Sequence, residues 1–533
     1  MLELGRIQSN ILRGFRRGSD PAVEHFVFLH FGRVEGARSF VAQLLPLVTS
    51  CLDFDQGARC VLNIGLTYPA VAMFGYGGQA RALDQRDHEA TGTIEAFKQG
   101  MRCRAASILG DTGESAPEHW EAAYREEGPQ HQLHAVLCLN ARSGNEGALA
   151  ETLAKVDAAL VAHAGAVRRL HDEHAEAFTG AYAGTEQFGY ADGIAQPAIY
   201  ESYADPSESD GQPGDGTPRK RRGWDPLEPG EFVLGQIDES GQIQFRSPFF
   251  RNGSFMVFRK LRQHVGRFRD YTAAVARRKS VTAEFVGAKM IGRWPSGAPL
   301  MLAPDRDDPE LGADPTRNND FRYADDPNGL RCPLGSHIRR NNPREDPSGP
   351  GSVQTRLHRI IRRSTPYGPR LPEGQPDDGV DRGVIFVVIN ADIARQFEFV
   401  QQNWVQSVLS STILTLPADR DPIIGQQLVD EDTGESQGKF LIPSSKRNQA
   451  PIIAWGLPTF VTTRGGAYFL LPSLDALWNV AYGTDCPGQS DEPAEGCPAL
   501  EPSPEEPAEP EPGEPSADAV SEPSVPGAET ADP

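Results

Sequence analysis

Strand-like apolar runs alternate with amphipathic helices along the first part of the chain, and this alternation constrains the fold more than any other feature. Short continuous apolar runs predict buried strands, whereas apolar residues three and four positions apart predict helices. Strands are predicted at 25–31, 60–66, 133–139 and 167–172, with helices at 36–50 and 145–164. We therefore expect an α+β unit over residues 1–185.

The same alternation recurs in the second part of the chain. Strands are predicted at 254–260, 383–390 and 458–471, and helices at 263–278, 281–293 and 393–409. The run GVIFVVIN at 383–390 is apolar almost throughout, which is typical of a strand buried on both faces. A second α+β unit is thus expected over 186–485, and in each unit an antiparallel sheet should be faced by helices.

The 533-residue chain ends in an acidic, proline-rich segment. Residues 486–533 contain 13 Asp or Glu and no Lys or Arg. Such a composition cannot bury an apolar core, so we predict that this segment is disordered. The formal net charge is −21, and the acidic segment leaves only −8 for the preceding 485 residues. No basic stripe indicates a nucleic-acid partner.

Nothing in the sequence directs the chain to a membrane or out of the cell. The N-terminus lacks the continuous apolar core of a signal peptide, and no run of about 18 apolar residues occurs. The seven cysteines are sparse and irregularly spaced, which is typical of reduced thiols rather than of a disulfide framework or a zinc site. We therefore expect a cytoplasmic protein without a membrane partner, whose oligomeric state the sequence leaves open.

A glycine-flanked carboxylate, Asp192, is the first candidate for a functional residue. It lies in the stretch QFGYADGIAQP at 187–197. Gly189 and Gly193 allow the backbone to approach a ligand closely, and a carboxyl group held there can move protons onto or off a substrate. An ordinary Asp-Gly turn has the same pattern, so the functional interpretation depends on a second cluster.

That second cluster is basic and contains a histidine. His337 follows a turn in the stretch CPLGSHIRRNNPR at 332–344, and HRIIRRSTPYG at 358–368 adds further positive charge. A neutral imidazole is a common axial ligand of haem iron, and its second nitrogen usually has a hydrogen-bonding partner such as a carboxylate. Arginines suit both haem propionates and an anionic peroxide. A surface loop with a hydrogen-bonded histidine is the alternative.

Three motifs in this order resemble the dye-decolorizing peroxidase family. The sequence GYADG at 189–193 matches the family's GxxDG motif, His337 resembles its proximal histidine, and Arg362 in RRSTPYG resembles its distal arginine. The opening IQSNILRGF at 7–15 is similar to that of the longer members, which lack export signals. The resemblance extends from about residue 5 to residue 480.

This resemblance implies two ferredoxin-like α+β halves, as in the dimeric α+β barrel superfamily, with one haem b per chain bound mainly by the second half. It also implies a peroxidase that reduces hydrogen peroxide and oxidises dyes, phenols or other aromatic compounds. Asp192 would be the distal acid–base residue, Arg362 would stabilise charge as the O–O bond breaks, and His337 would bind the iron. A haem-handling protein with little turnover is the alternative function.

Further site residues follow from the same resemblance. Asp392, just after the strand at 383–390, is similar in position to the carboxylate that hydrogen-bonds the proximal imidazole, and Glu398 is a second candidate for that role. Val384 and Phe386 would face the distal pocket as apolar walls. Alternatively, these two residues belong only to the core of the sheet.

Bulky dyes cannot reach a buried haem, so electrons should pass through aromatic side chains. Tyr367, five residues after Arg362, resembles a tyrosine proposed as such a relay in some relatives. Trp404 and Trp455 are further options, although each could simply be part of the core.

Two alternatives remain open for the central residues. Arg363 adjoins Arg362 and would take its role if the register were shifted by one position. Cys332 could bind iron as a thiolate, but the adjacent Pro333 and the better placed His337 argue against it.

Overall fold

The computed structural model describes residues 2–15, 22–78, 91–200, 214–218, 223–345, 355–407, 420–444 and 449–483. The chain divides into two units, Met1–Gln489 and Ser490–Pro533. The second unit and the whole segment 486–533, for which disorder is predicted, lie outside the described residues. The fold and the site therefore belong to the first unit.

The first half contains an antiparallel sheet of four strands. These are β1 (Ala22–Phe31), β2 (Cys60–Leu66), β3 (Ala135–Arg142) and β4 (Val167–Glu176). Their spatial order is β4-β1-β3-β2. Helix α1 (Val34–Leu44) connects β1 to β2, α2 (Thr91–Arg104) precedes β3, and α3 (Glu146–Ala162) connects β3 to β4. This is the ferredoxin-like arrangement of strands and helices.

The second half repeats this strand order in a longer chain segment. Its strands are β5 (Thr217–Pro218), β6 (Trp224–Asp225), β7 (Ser254–Gln263), β8 (Ile361–Arg362), β9 (Thr365–Tyr367), β10 (Gly383–Asn390), β11 (Gly438–Ile442), β12 (Ile452–Leu457) and β13 (Val461–Leu471). The main sheet has the order β13-β7-β10-β8, and β9 also pairs with β10. Strands β5–β6 and β11–β12 form two separate two-stranded sheets.

The sheets of the two halves are continuous. Strands β2 and β13 pair at Leu66 and Leu470, which gives one nine-stranded sheet. Phe26 and Phe28 of β1 pack against Phe258 of β7, with ring centroids 5.2 and 5.0 Å apart. Because these three side chains are almost fully buried, the halves share one apolar core.

The predicted helices agree with observed ones except in one stretch, and helices such as α2 were not predicted. The second half contains α4 (Val265–Lys279), α5 (Ala283–Ile291), α6 (His337–Asn341) and α7 (Leu474–Tyr482). Shorter helices span Ser9–Leu12, Cys51–Asp55, Tyr68–Met73, Ala122–Arg125 and Pro309–Ala313. Within the described ranges, no helix is both long and apolar enough to cross a bilayer.

The stretch predicted as an α-helix at 393–409 contains wider π-helical turns. These turns span Ile393–Glu398 and Val400–Val405, and residues 408 and 409 lie outside the described part of the chain. Buried Gln396 holds the first of these turns in place. Its Oε1 accepts from Asp392 N at 2.7 Å, and its Nε2 donates to the carbonyl of Glu231 at 2.9 Å. Turns of this kind are frequent at functional sites.

Candidate active site

A cavity of about 260 Å³ lies against the sheet of the second half. Alternate residues of a strand face the same side of a sheet, and such residues of three strands form one wall: Arg259, Leu261, Gln263, Val384, Phe386, Val461 and Thr463. The π-helical stretch contributes Phe397, Val400, Gln401 and Val405. The cavity is therefore largely apolar, with polar side chains at restricted positions.

Asp192 and Arg362 meet at this cavity as an ion pair. Arg362 Nη1 lies 3.0 Å from Asp192 Oδ1. The loop turns on both sides of Asp192 because Gly189 and Gly193 adopt φ values of 95° and 81°, which few other residues tolerate. The Gly193 N–H also donates to Asp192 Oδ1 at 2.6 Å. The charged groups of the pair therefore face the cavity together.

The position of Arg362 is fixed by the loop that carries Asp192. Arg362 lies on β8 and pairs with Val388 of β10. Its backbone N–H donates to Gln196 Oε1 at 3.1 Å, and its carbonyl accepts from Gln196 Nε2 at 3.2 Å. Its Nη2 donates to the carbonyl of Ala195 at 3.0 Å. Loop and strand thus hold the two charged side chains in one geometry.

His337 lines the same cavity from the first position of helix α6. The preceding residue, Ser336, is buried and donates its hydroxyl to the carbonyl of Lys289 at 2.6 Å. His337 Nδ1 lies 2.9 Å from Asp421 Oδ2. Among the described residues, its Nε2 atom has no hydrogen-bond partner, so this nitrogen can bind a metal ion.

Asp421 is the buried carboxylate that orients the imidazole. It accepts hydrogen bonds from the N–H groups of Ile423 and Ile424 at 2.8 and 3.0 Å, and from Asn341 Nδ2 at 2.8 Å. Burial alone would raise its pKa, but the adjacent His337 and the surrounding donors hold the pKa of Asp421 at about 2. A charged carboxylate on Nδ1 fixes the ring and makes Nε2 a stronger ligand.

The expected contact between Asp392 and His337 is wrong, because Asp421 occupies that position. Asp392 instead caps the turn Ile393–Glu398 by accepting from Arg395 N at 2.8 Å, and it also accepts from the hydroxyl of Thr93. The Asp392 carboxylate therefore stabilises the first turn of the π-helical stretch.

Glu398, the second candidate for the partner of His337, makes its hydrogen bonds to other residues. Arg104 donates to both of its carboxylate oxygens at 2.6 and 2.7 Å, and the Tyr468 hydroxyl donates to it at 2.9 Å. This buried network joins α2 of the first half to β13 of the second.

Val384 and Phe386 both line the cavity, at the positions expected from the alternation along β10. The two alternatives for the central residues lie elsewhere. Arg363 Nε donates to the carbonyl of Asn10 at 3.3 Å, and Cys332 is fully buried in a separate apolar cluster, where burial raises the pKa of its thiol.

The three aromatic residues considered as relays differ in exposure. Tyr367 is only 7% exposed, its hydroxyl lies 3.2 Å from Asp381 Oδ1, and Lys260 Nζ lies 5.0 Å from its ring centroid. Trp404 is equally buried, whereas Trp455 is 58% exposed. A bulky reductant could therefore stack on Trp455 but not on the other two rings.

One end of the cavity is strongly basic. Buried Arg344 donates to the carbonyls of Asn319 and Phe321 at 2.8 and 3.1 Å. These acceptors are uncharged, and nearby carboxyl groups favour the charged form of the guanidinium. Arg359 also lines this end, and burial lowers its pKa to about 10, while burial lowers the pKa of Arg344 as well.

These groups fit a haem. The free Nε2 of His337 suits an axial iron ligand, the apolar strand residues suit the porphyrin faces, and the buried arginines suit its carboxylates. Sequence reasoning identified His337 but missed Asp421, Arg344 and Arg359 as site residues. Arg344 and Arg359 lie in the two basic stretches, 332–344 and 358–368, that the sequence analysis singled out. Asp421, in contrast, lies in no motif that indicates a functional residue.

Comparisons with known proteins indicate the family of the chain. No family model matches the chain. It is 31% identical over 512 residues to a dye-decolorizing peroxidase of Mycena epipterygia, with 90% of this chain and 87% of the relative covered. An ancestral D-type dye decolorizing peroxidase has a similar structure, with a TM-score of 0.72, 28% identity, and 90% and 99% of the two chains covered.

A dye-decolorizing peroxidase in complex with 2,6-dimethoxyphenol is also similar, with a TM-score of 0.69 and 29% identity over 90% of this chain and all of the other. Identity at this level over nine tenths of the chain shows common descent. The chain therefore belongs to the dye-decolorizing peroxidase family and is a haem peroxidase.

Proposed function

We propose that Asp192 and Arg362 together cleave hydrogen peroxide at a haem bound through His337. The observation that carries this proposal is the Asp192–Arg362 ion pair, which lines the same cavity as the free Nε2 of His337. A proton acceptor beside a fixed positive charge suits heterolysis of an O–O bond, in which a proton moves and negative charge develops.

The cofactor is proposed to be one haem b per chain. His337 Nε2 would bind its iron, with Asp421 fixing the ring, and Arg344 and Arg359 would bind its carboxylates. Val384 and Phe386 line the same cavity, and they would leave room beside the haem only for small molecules. When bound, the haem supplies the two electrons that peroxide takes up during its cleavage.

The protein residues move the protons in this reaction. The Asp192 carboxylate would accept a proton from one oxygen of peroxide and deliver it to the other oxygen, which leaves as water. The Arg362 guanidinium donates hydrogen bonds to the oxygen on which negative charge develops. Gln196 and Ala195 keep Arg362 in reach of Asp192, so little reorganisation is needed during the step.

The reductants are proposed to be aromatic compounds such as phenols and dyes. A similar protein binds 2,6-dimethoxyphenol, and small phenols of this kind would return single electrons to the site. Two molecules of a one-electron donor are consumed for each peroxide reduced to two waters. Tyr367 remains a predicted interior relay for larger reductants.

Spectra and turnover of the purified haem-loaded protein test this proposal. We expect an absorbance band of ferric haem that shifts when peroxide is added, and peroxide-dependent bleaching of an anthraquinone dye. His337→Ala should lose both the haem band and the bleaching. A wild type that binds haem but neither shifts its band nor bleaches dye would instead be a haem-handling protein, and the proposal would be refuted.

A further inference from the structure

Trp224 connects the basic end of the cavity to the protein surface. It lies half-buried on the short strand β6. The Arg344 Cζ atom is 5.5 Å from the centroid of its ring, and the same Arg344 lines the cavity. Only one guanidinium group therefore separates the indole from the space that the haem would occupy.

The indole also has a base for its proton. Trp224 Nε1 donates a hydrogen bond of 2.8 Å to Asp320 Oδ1, and Asp320 is exposed to solvent. Removal of an electron makes the indole N–H strongly acidic. The proton can then move along this existing hydrogen bond to the carboxylate, and from there to water.

The neighbouring charges favour this proton transfer. Arg344 lies 5.5 Å and Arg322 5.8 Å from the ring centroid. Two cations at this range disfavour a positively charged indole radical, because like charges repel in a partly desolvated setting. They leave a neutral radical unaffected, so oxidation of Trp224 should depend on the Asp320 carboxylate.

We propose that Trp224 is the surface residue at which bulky aromatic reductants give up electrons to the haem site, with Asp320 as its proton acceptor. This inference rests on the proposed peroxide chemistry. One electron leaves the indole for the oxidised site while the N–H proton passes to Asp320. A phenol O–H or a dye N–H then returns one electron and one proton to the indole. Two such cycles accompany the reduction of one peroxide to two waters.

Trp455 provides a matched comparison within the same chain. It is more exposed than Trp224, but its route to the cavity is longer. Its carbonyl accepts from the Tyr271 hydroxyl at 3.3 Å, and the Tyr271 and Phe460 ring centroids lie 5.7 Å apart. From Phe460 the path reaches Phe188 of the cavity wall either directly at 6.5 Å or through Phe268 at 5.3 and 4.7 Å. Electron transfer falls steeply with distance, so exposure alone should not make Trp455 a productive site.

The first test locates the radical. The haem-loaded wild type is treated with peroxide and a nitroso spin trap in the absence of reductant, and the digested peptides are analysed by mass spectrometry. We expect the adduct on Trp224, and much less of it in Asp320→Asn, where the acceptor amide is a poor base. An adduct that forms elsewhere and spares Trp224 would overturn the inference.

The second test separates the surface site from the haem chemistry. The catalytic efficiency is measured with a bulky sulfonated anthraquinone dye and with 2,6-dimethoxyphenol. In Trp224→Phe we expect the loss on the dye to exceed the loss on the phenol by at least about tenfold, whereas Trp455→Phe should match the wild type on the dye. If the wild type oxidises the phenol but Trp224→Phe still bleaches the dye at the wild-type rate, the peroxidase proposal survives and the role of Trp224 is refuted.

Discussion

Arg362 donates a hydrogen bond of 3.0 Å to Asp192 across 170 positions of sequence. We expect Asp192→Asn to lower kcat/KM for hydrogen peroxide by about 10²–10⁴, because the amide cannot accept the proton. Steady-state kinetics with a small phenol measure this effect. An unchanged haem band in the variant shows that the site is still assembled, and wild-type kinetics would contradict the assigned role.

Arg362 can be tested separately from its partner. Arg362→Met keeps a long, flexible side chain but removes the guanidinium and its positive charge. We therefore expect the rate of peroxide cleavage to fall by a factor of about 10²–10³. Arg363→Met is the control, since Arg363 contacts the backbone of Asn10 rather than Asp192. Stopped-flow absorbance after mixing with peroxide follows the step directly, and equal effects of the two variants would refute the distinction between them.

Asp421 should control how firmly the protein keeps its haem. Asp421→Asn removes the charged partner of His337, and loss of such a partner typically weakens a metal site by about 10–100-fold. Transfer of haem to an apo-globin acceptor measures the difference. Asp392→Asn is the matched control, because Asp392 caps the turn Ile393–Glu398; a faster haem loss in this variant than in Asp421→Asn would contradict the assignment.

This pair of aspartates shows what could and could not be predicted from the sequence. The strands Cys60–Leu66 and Gly383–Asn390 were predicted with their observed bounds, since a mostly buried strand is apolar almost throughout. Asp192, His337 and Arg362, which line one cavity, were selected as candidates because their local motifs are distinctive. Asp421 lies 84 positions from His337 in a stretch without such a motif, so its role depends on tertiary contacts alone.

Trp224 was missed for the same reason. Its neighbours Arg344 and Asp320 are about a hundred residues away in sequence, and only the fold brings the three together. Tyr367, in contrast, was selected because its position five residues after Arg362 resembles that of a tyrosine in some relatives. Spacing along the chain does not reveal exposure, and the ring lies beneath Lys260.

His134 should make the protein less stable in mild acid. Burial, reinforced by the nearby His30, lowers the pKa of His134 from 6.5 to about 4, and its Nδ1 accepts the Phe31 N–H at 3.2 Å. The unfolded chain takes up a proton below about pH 6.5 while the folded chain does not. The stabilising contribution is therefore complete above pH 6.5 and is lost as the pH falls from 6.5 to 4.

Urea unfolding of the haem-loaded protein at several pH values measures this effect. In His134→Asn the amide oxygen can accept the same N–H but does not titrate, so the acid-side decrease in unfolding free energy should become shallower. The same slope in both proteins would show that His134 does not contribute to it.

The buried ion pair between Arg259 and Asp111 should be important for stability. Arg259 Nη2 lies 2.5 and 2.6 Å from the two carboxylate oxygens, and the side chains are only 3% and 1% exposed. Asp111→Ala would leave a buried cation unpaired, which costs about 3–5 kcal/mol of unfolding free energy. Glu127→Ala is the control, because its pair with Arg125 is exposed and worth about 1 kcal/mol or less. Similar losses in the two variants, measured by urea unfolding, would contradict this ranking.

Strand β7 carries Phe258 and Arg259 at adjacent positions, so the two side chains point to opposite sides of the sheet. Phe258 packs on Phe26 and Phe28 of the first half, while Arg259 lines the cavity. One face of the sheet thus lines the haem pocket, and the other face of the same strand packs in the core that the two halves share. Laboratory evolution of dye specificity should therefore find useful positions in the first half of the chain. If one half were exchanged for that of a relative, poor packing in the shared core would displace the residues that line the haem pocket.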